Sequence, residues 1–291
     1  LKRKCDMKRV YEWYSSLPKR IRDSITVAIT TVGFISTILS ILGISLGDWE
    51  KSSFVIRIAV VLAAFVLIAA VAYLILGKIF NKSITLTIRH TPVSICCGNI
   101  FEESGMKVIG CDTHFDTRVD DIIISRKSLH GKLVLEHGDT EAIKVAVKME
   151  ARRQGLKANK QGLYDFPLGT IIKYESNVDN QTYLMLAMTE LNSEYEAHTN
   201  MAKFEQMLMK MWREIDRVYA GEDVVLPILG TGISRFDDGP KDKEALLRCM
   251  LCTLNSSGVS LNANVEVVIY GDTRDIPLYE YKDMFHTIPR R

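Results

Sequence analysis

The sequence predicts an α/β fold class: a two-helix transmembrane hairpin followed by a three-layer α/β/α domain with a mixed central sheet. Three observations carry this. Residues 24–47 and 58–77 contain no charged residue, and as helices each would cross the roughly 30 Å hydrocarbon layer of a bilayer. From residue 83 onward, short apolar strands alternate with amphipathic helical patterns. Residues 224–236 read Val-Val-Leu-Pro-Ile-Leu-Gly-Thr-Gly-Ile-Ser-Arg-Phe, a buried strand that breaks into a glycine turn before a helix restarts beyond Gly239 and Pro240.

Three segments follow from these observations: a basic N-terminal segment over 1–23, the hairpin over 24–82 and the α/β domain over 83–291. The first holds Lys2, Arg3, Lys4, Lys8, Arg9, Lys19, Arg20 and Arg22, with Tyr11, Trp13 and Tyr14 among them, the composition of a stretch at a lipid headgroup interface. Both uncharged runs lack a polar stripe, which sets them apart from core helices of a soluble protein. Lys and Arg flank the outer ends of the hairpin more densely than its turn, so both termini of this two-span membrane protein are expected in the cytoplasm. Ser36, Ser40, Gly43 and Gly47 share a face of the first span, and Ala59 with Ala63 repeats the spacing in the second. Small residues so placed let helices approach closely, either closing the hairpin on itself or joining protomers into a homo-oligomer.

Charge narrows the class of partner. The net charge of +2 conceals twelve Lys or Arg against five Asp or Glu in residues 1–82, and 25 against 30 in the remainder. A net-acidic main domain argues against a nucleic-acid partner, whose backbone calls for clustered cations. The six cysteines form no metal-binding set: Cys249 and Cys252 fall on an amphipathic helix pattern with no second pair or nearby His, so no metal is expected. Free thiols suit a reducing cytoplasm.

Within the domain, strands are expected over 84–89, 93–97, 107–111, 122–124, 132–135, 170–174, 183–189, 224–228 and 265–270. Helices are expected from a cap at Asp139 to Gln154, from a cap at Thr199 or Asn200 to about residue 219, and over 241–254. In open α/β sheets ligands sit beyond the carboxyl ends of the strands. Asn99 and Ile100, Asp112 and Thr113, the loop Ser128, Leu129, His130 and Gly131, and the turn Gly230, Thr231 and Gly232 all fall at or beside such ends. Glycines there let main-chain N–H groups turn outward and approach a phosphate, and a following helix adds its positive end.

The order of these loops is specific enough to resemble a known module. A strand ending in Gly-Asn-Ile, one ending in Cys-Asp-Thr, a loop reading Ser-Leu-His-Gly and a late Leu-Pro-Ile-Leu-Gly-Thr-Gly together resemble a macro domain. With the hairpin in front, the chain resembles the membrane-anchored macro effectors of bacterial Thoeris antiphage systems. The resemblance implies a ligand of the ADP-ribose type, derived from NAD by a TIR-domain protein, and a response in which the effector oligomerises and disrupts the lipid bilayer. It implies that Asn99 and Ile100 recognise adenine, with Asn99 standing where the family commonly has Asp and so bringing no charge. It implies that Gly230, Thr231, Gly232 and Ile233 hold the diphosphate by main-chain N–H groups, with Ser234 also in the ligand-binding loop, that Phe236 covers the distal ribose, and that the 128–131 wall presents His130. Arg235 would pair with phosphate or lie in a surface ion pair.

Macro domains that hydrolyse ADP-ribose bonds often carry asparagines at the strand end where this chain has Asp112 and Thr113. Asp112, His114, Asp116 and Asp120 offer a base in principle, but an acidic run after a strand, with Phe115 inside it, also serves as a loop or a ribose-hydroxyl acceptor. The expectation is therefore a receptor with no catalytic residue and no cofactor, the alternative being a membrane-tethered ADP-ribosyl hydrolase.

Overall fold

The computed structural model describes residues 13–14, 17, 19–41, 54–80, 83–191, 197–232, 235–271, 276, 278 and 281. These group into two compact units, one holding two long helices and the other running from Thr85 to Ile276.

The first unit is built on α1 (Lys19–Ile41) and α2 (Phe54–Phe80), which pack against each other. Most of their apolar side chains face outward, Phe34 and Leu74 being 68% and 66% exposed, the reverse of a helix made for a protein core. Two stretches, Arg20–Ile38 and Ile58–Gly77, are long and apolar enough to cross a membrane. Hydroxyls in α1 satisfy themselves within the helix: Ser24 donates to the Arg20 carbonyl at 2.6 Å, Thr30 to Thr26 at 2.9 Å and Thr37 to Gly33 at 2.9 Å. That removes the cost of placing them in hydrocarbon. Gly43 and Gly47 of the expected small-residue face lie outside the described residues.

The second unit is a nine-stranded mixed sheet of β1 (Ser83–Ile88), β2 (Thr91–Cys97), β3 (Met106–Asp112), β4 (Ile171–Glu175), β5 (Thr182–Leu191), β6 (Ala197–Thr199), β7 (Val224–Pro227), β8 (Arg235–Phe236) and β9 (Val265–Ile269). Its spatial order is β1-β2-β9-β7-β3-β5-β6-β8, with β4 on β5. The centre is parallel, β2 with β9, β9 with β7, β7 with β3 and β3 with β5, whereas β4 and β6 run antiparallel to β5. Parallel strands buried on both faces must be apolar almost throughout. Val108, Ile109, Leu184, Met185, Leu186, Val225 and Leu226 are accordingly sealed from solvent. Lys107 is the exception, a buried lysine whose Nζ donates to Gln181 Oε1 at 2.8 Å and to the Gly105 carbonyl at 3.3 Å.

Ile109, Cys111, Tyr174, Met185 and Ala187 share one core with Ile143, Val147 and Ala151 of α4 (Thr140–Arg153). Elsewhere α5 (Met201–Val218) and α6 (Lys243–Ser257) pack together, with Trp212 Nε1 donating to Thr253 Oγ1 at 3.2 Å. In α5, Phe204, Met207, Leu208, Met211, Trp212 and Ile215 form a helical stripe and all are buried. The caps are as the sequence indicates: Asp139 accepts from Glu141 and Ala142 N–H, and Asn200 accepts from Lys203 N–H.

Two expected strands are absent. Residues 132–135 belong instead to a helical segment, α3 (Leu129–Lys132), that continues as a π-helical turn over Leu133–His137. The cause is Ser128, whose Oγ accepts from Gly131 N–H at 2.9 Å and starts the helix, leaving the apolar Leu133 and Val134 to enter the core from a helix. Residues 122–124 form a bend, because Asp120 Oδ1 accepts the N–H of both Ile122 and Ile123, at 2.9 and 2.8 Å.

Candidate functional site

Beyond the carboxyl ends of β3, β5, β7 and β9 lies a cavity of about 670 Å³, within the size range of small-molecule sites. Its floor is the glycine turn after β7. Ile228 and Leu229 remain buried, and Gly230 then turns the chain with φ +83, a conformation that L side chains rarely adopt. Thr231 Oγ1 donates back to the Ile228 carbonyl at 2.8 Å and closes the turn. A Cβ on Gly232 would meet nothing within 4 Å, so the backbone there stands open to the cavity it lines.

The strand end of β3 supplies Asp112, buried and on the cavity wall beside a register shift between Cys111 and Asp112. Its two oxygens accept main-chain N–H groups, Oδ1 from His114 at 2.7 Å and Oδ2 from Asp116 at 3.3 Å. Thr113 is buried, held by N–H donation to the Thr189 carbonyl at 3.0 Å, and does not line the cavity. Phe115 turns inward at φ 51 and packs edge-on against Phe166 at 5.2 Å in the core. Asp116 is buried against Arg118, whose Nη2 lies 2.6 Å from Oδ2. Burial alone would raise the Asp116 carboxyl, but donation from the Arg118 side chain and main chain outweighs it and holds the group below the usual carboxylate range.

The opposite wall comes from 125–131. Ser128, Leu129 and His130 line the cavity; Gly131 lies just behind, where an added Cβ would sit 2.2 Å from the Ser125 carbonyl oxygen. His130 is buried, and desolvation pushes its imidazole down against the pull of Asp112 and Asp116. Asn99 and Ile100 close the cavity after β2, with Asn99 bonded to Glu102.

The structure therefore brings Asn99, Ile100, Asp112, Ser128, Leu129, His130, Gly230, Thr231 and Gly232 to one cavity. Phe236 packs edge-on against Phe204 at 5.6 Å, and it and Arg235 form β8, whose backbone pairs with β6. Ile233 and Ser234 lie outside the described residues. Sequence reading overlooked Met188 and Thr189 at the end of β5, Tyr270 just past β9, the bend at 122–124, and Lys127, Lys132 and Lys243. The end of β9 was findable by the same strand-end rule that located the others. The lysines and the bend were not, because only the fold brings them to the cavity.

Among the described residues, one trio has ligand-type atoms within 4.8 Å of one another, Cys96, Glu103 and Glu266, away from the cavity lining. There the Cys96 thiol donates to Glu266 Oε1 at 2.9 Å, and burial followed by the neighbouring carboxylates pushes it up to about 12.

Comparison with known proteins gives three kinds of likeness. The family described as "Thoeris protein ThsA, Macro domain" matches residues 93–270. Thoeris protein ThsA of Bacillus amyloliquefaciens (strain Y2) is 27% identical over 275 residues, covering 90% of this chain and 88% of that protein. Among solved structures, the Oceanobacillus iheyensis macrodomain, as a glycine-to-valine mutant with ADPR, is similar with a TM-score of 0.49 at 15% identity, over 70% of this chain and 98% of that chain. A Trypanosoma brucei macrodomain in complex with ADP gives a TM-score of 0.37 at 12% identity, over 67% of this chain and 70% of that chain. The family match spans every residue that lines the cavity.

Proposed function

Because the chain belongs to the Thoeris ThsA macro-domain family, we propose that it is an antiphage-defence effector that binds an ADP-ribose-derived signal in the cavity beyond β3, β5, β7 and β9. The observation that carries this is the turn at Gly230–Gly232, where open backbone faces a cavity of about 670 Å³. In this reading adenine lies against Asn99 and Ile100, the diphosphate over the glycine turn, and the distal ribose with its attached group near Asp112, Ser128 and His130.

The domain acts as a receptor. What supports this over a hydrolase is Asp112, whose oxygens are both engaged by main-chain N–H groups and which is thereby fitted to hold the loop rather than to activate water. The signal is made from NAD by a TIR-domain partner. The two long helices span the inner membrane with both ends in the cytoplasm, and binding favours a state in which hairpins from several copies assemble and disrupt the bilayer. A ligand shifts such an equilibrium only through unequal affinity for the two states.

The test is calorimetric titration of the full chain in detergent with ADP-ribose and with conjugates on its distal ribose. The expected result is binding near ~1 μM or tighter, about −8 kcal/mol, for one conjugate and no consumption of it. Gly232→Glu should remove binding through charge and bulk while leaving membrane insertion unchanged. Turnover of the ligand would put a hydrolase in the receptor's place, and a Gly232→Glu variant that still protects cells would sink the proposal.

A further inference from the structure

Three lysines from two segments line the cavity: Lys127 and Lys132, on either side of the turn that opens α3, and Lys243 at the first turn of α6. Among the described residues, none of the three has an ion-pair partner, while the acidic groups around them are already engaged. Asp121 is held by Arg126 at 3.3 Å, Asp238 by Lys241 at 3.4 Å and Glu244 by Arg248 at 2.7 Å. Asp242 accepts from Ala245 N–H as the cap of α6, and Asp112 accepts its two main-chain N–H groups. The cavity lining thus carries three lysines against two carboxylates, Asp112 and Asp121, both already engaged, with the N-terminal end of α6 beside them.

A polyanion placed in a cavity so lined is attracted by the long, mobile ammonium side chains and gains charge-assisted hydrogen bonds from them. The glycine turn offers an anion only main-chain N–H groups, which bind well but respond weakly to total ligand charge. We propose that Lys127, Lys132 and Lys243 form a cationic rim that captures the diphosphate of the ligand and sets the selectivity of the cavity for polyanionic nucleotides over neutral nucleosides. This rests on the nucleotide-receptor reading above and adds to it which side chains supply the charge. Lys127 and Lys243 are exposed and Lys132 half-buried, so changing them to Gln keeps the aliphatic stems and leaves the core untouched.

The experiment titrates the full chain in neutral detergent with ADP-ribose, adenosine and inorganic pyrophosphate at low and high salt. For the parent protein, raising NaCl from about 50 to about 500 mM should weaken ADP-ribose binding by ~10-fold or more, since the Debye length shrinks to a few ångströms. The triple variant Lys127→Gln, Lys132→Gln, Lys243→Gln should bind ADP-ribose ~10–100-fold more weakly at low salt, lose most of its salt dependence, and bind adenosine as the parent does. Circular dichroism confirms that the variant is folded. Equal ADP-ribose affinity and equal salt dependence in parent and variant overturn the rim while leaving the receptor reading intact. If the parent binds no ADP-ribose yet binds pyrophosphate in a lysine-dependent, salt-sensitive way, the receptor reading falls and the rim stands.

Discussion

In the turn after β2, Asn99 Nδ2 donates to Glu102 Oε1 at 2.8 Å while Asn99 Oδ1 accepts the Phe101 N–H at 3.3 Å. A carboxylate only accepts and an N–H only donates, so both neighbours demand the same orientation of the Asn99 amide. With that orientation held, the remaining lone pair on Oδ1 suits the amino group of adenine and opposes the carbonyl of hypoxanthine. Glu102→Gln brings an amide that can turn either way and should reduce the preference for ADP-ribose over its inosine counterpart by about 5-fold. Titration with the two ligands measures this, and an unchanged ratio would remove Glu102 from recognition.

Acid should loosen the domain through Asp116. Its carboxyl lies below the usual range in the folded protein because Arg118 outweighs the effect of burial. A depressed folded pKa gives stability that is present above the unfolded value near ~4 and is lost as pH falls through the folded value. Arg118→Met should destabilise the domain by roughly 1–2 kcal/mol at neutral pH, the cost of leaving a buried carboxylate short of its donor. The variant should also lose less stability on acidification than the parent, because without the Arg118 side chain burial is no longer outweighed and the gap between unfolded and folded values closes. Thermal melts from pH 7 down to about 3 read both effects, and identical profiles would mean the pair is inconsequential.

Alanine at three glycines should separate three physical causes. Gly131→Ala drives a methyl group against the Ser125 main-chain oxygen, which cannot move aside cheaply, and should cost roughly 1–3 kcal/mol. Gly230→Ala meets side chains of Phe204, Leu246 and Phe236 only at 3.4 Å, so its cost of about 1 kcal/mol comes from the positive φ. Gly232→Ala meets nothing and should leave the melting temperature unchanged. Any other order of the three melts would contradict this account of the loops.

Where the two long helices meet, Arg20 lies over the Tyr73 ring at 3.8 Å and its Nε donates to the Tyr73 carbonyl at 2.8 Å. Gly77 makes room for it, since a Cβ there would fall 1.7 Å from the guanidinium. Gly77→Leu should displace Arg20 and loosen the end of the hairpin, and Gly77→Ala should do so in part. Disulfide trapping between cysteines introduced on the two helices would show slower cross-linking in Gly77→Leu than in the parent protein; equal rates would show that the contact does not hold the pair.

Much of the architecture is local and was therefore legible in the chain. The uncharged runs, the caps at Asp139 and Asn200, the α5 stripe from Phe204 to Ile215 and the turn at Gly230 each depend on residues a few positions apart, where period and capping chemistry act directly. The glycine turn and the strand ends also marked where the cavity lies. Tertiary structure decided the rest. Leu133 and Val134 stand apart from it: they are as apolar as a strand, but the cap that Ser128 makes with Gly131, three residues on, is local chemistry and turns them into a helix. Asp116 and Phe115 sit in a motif beside the cavity, but Asp116 pairs with its near neighbour Arg118, and only the folded chain brings Phe115 onto the distant Phe166. Lys243 is an unremarkable surface residue in sequence and joins Lys127 and Lys132 in the cavity lining only because parallel β3, β7 and β9 bring distant loops to the same end of the sheet. Side-chain periodicity is set by neighbours along the chain, whereas the convergence of loops is set by strand order, which no local pattern encodes.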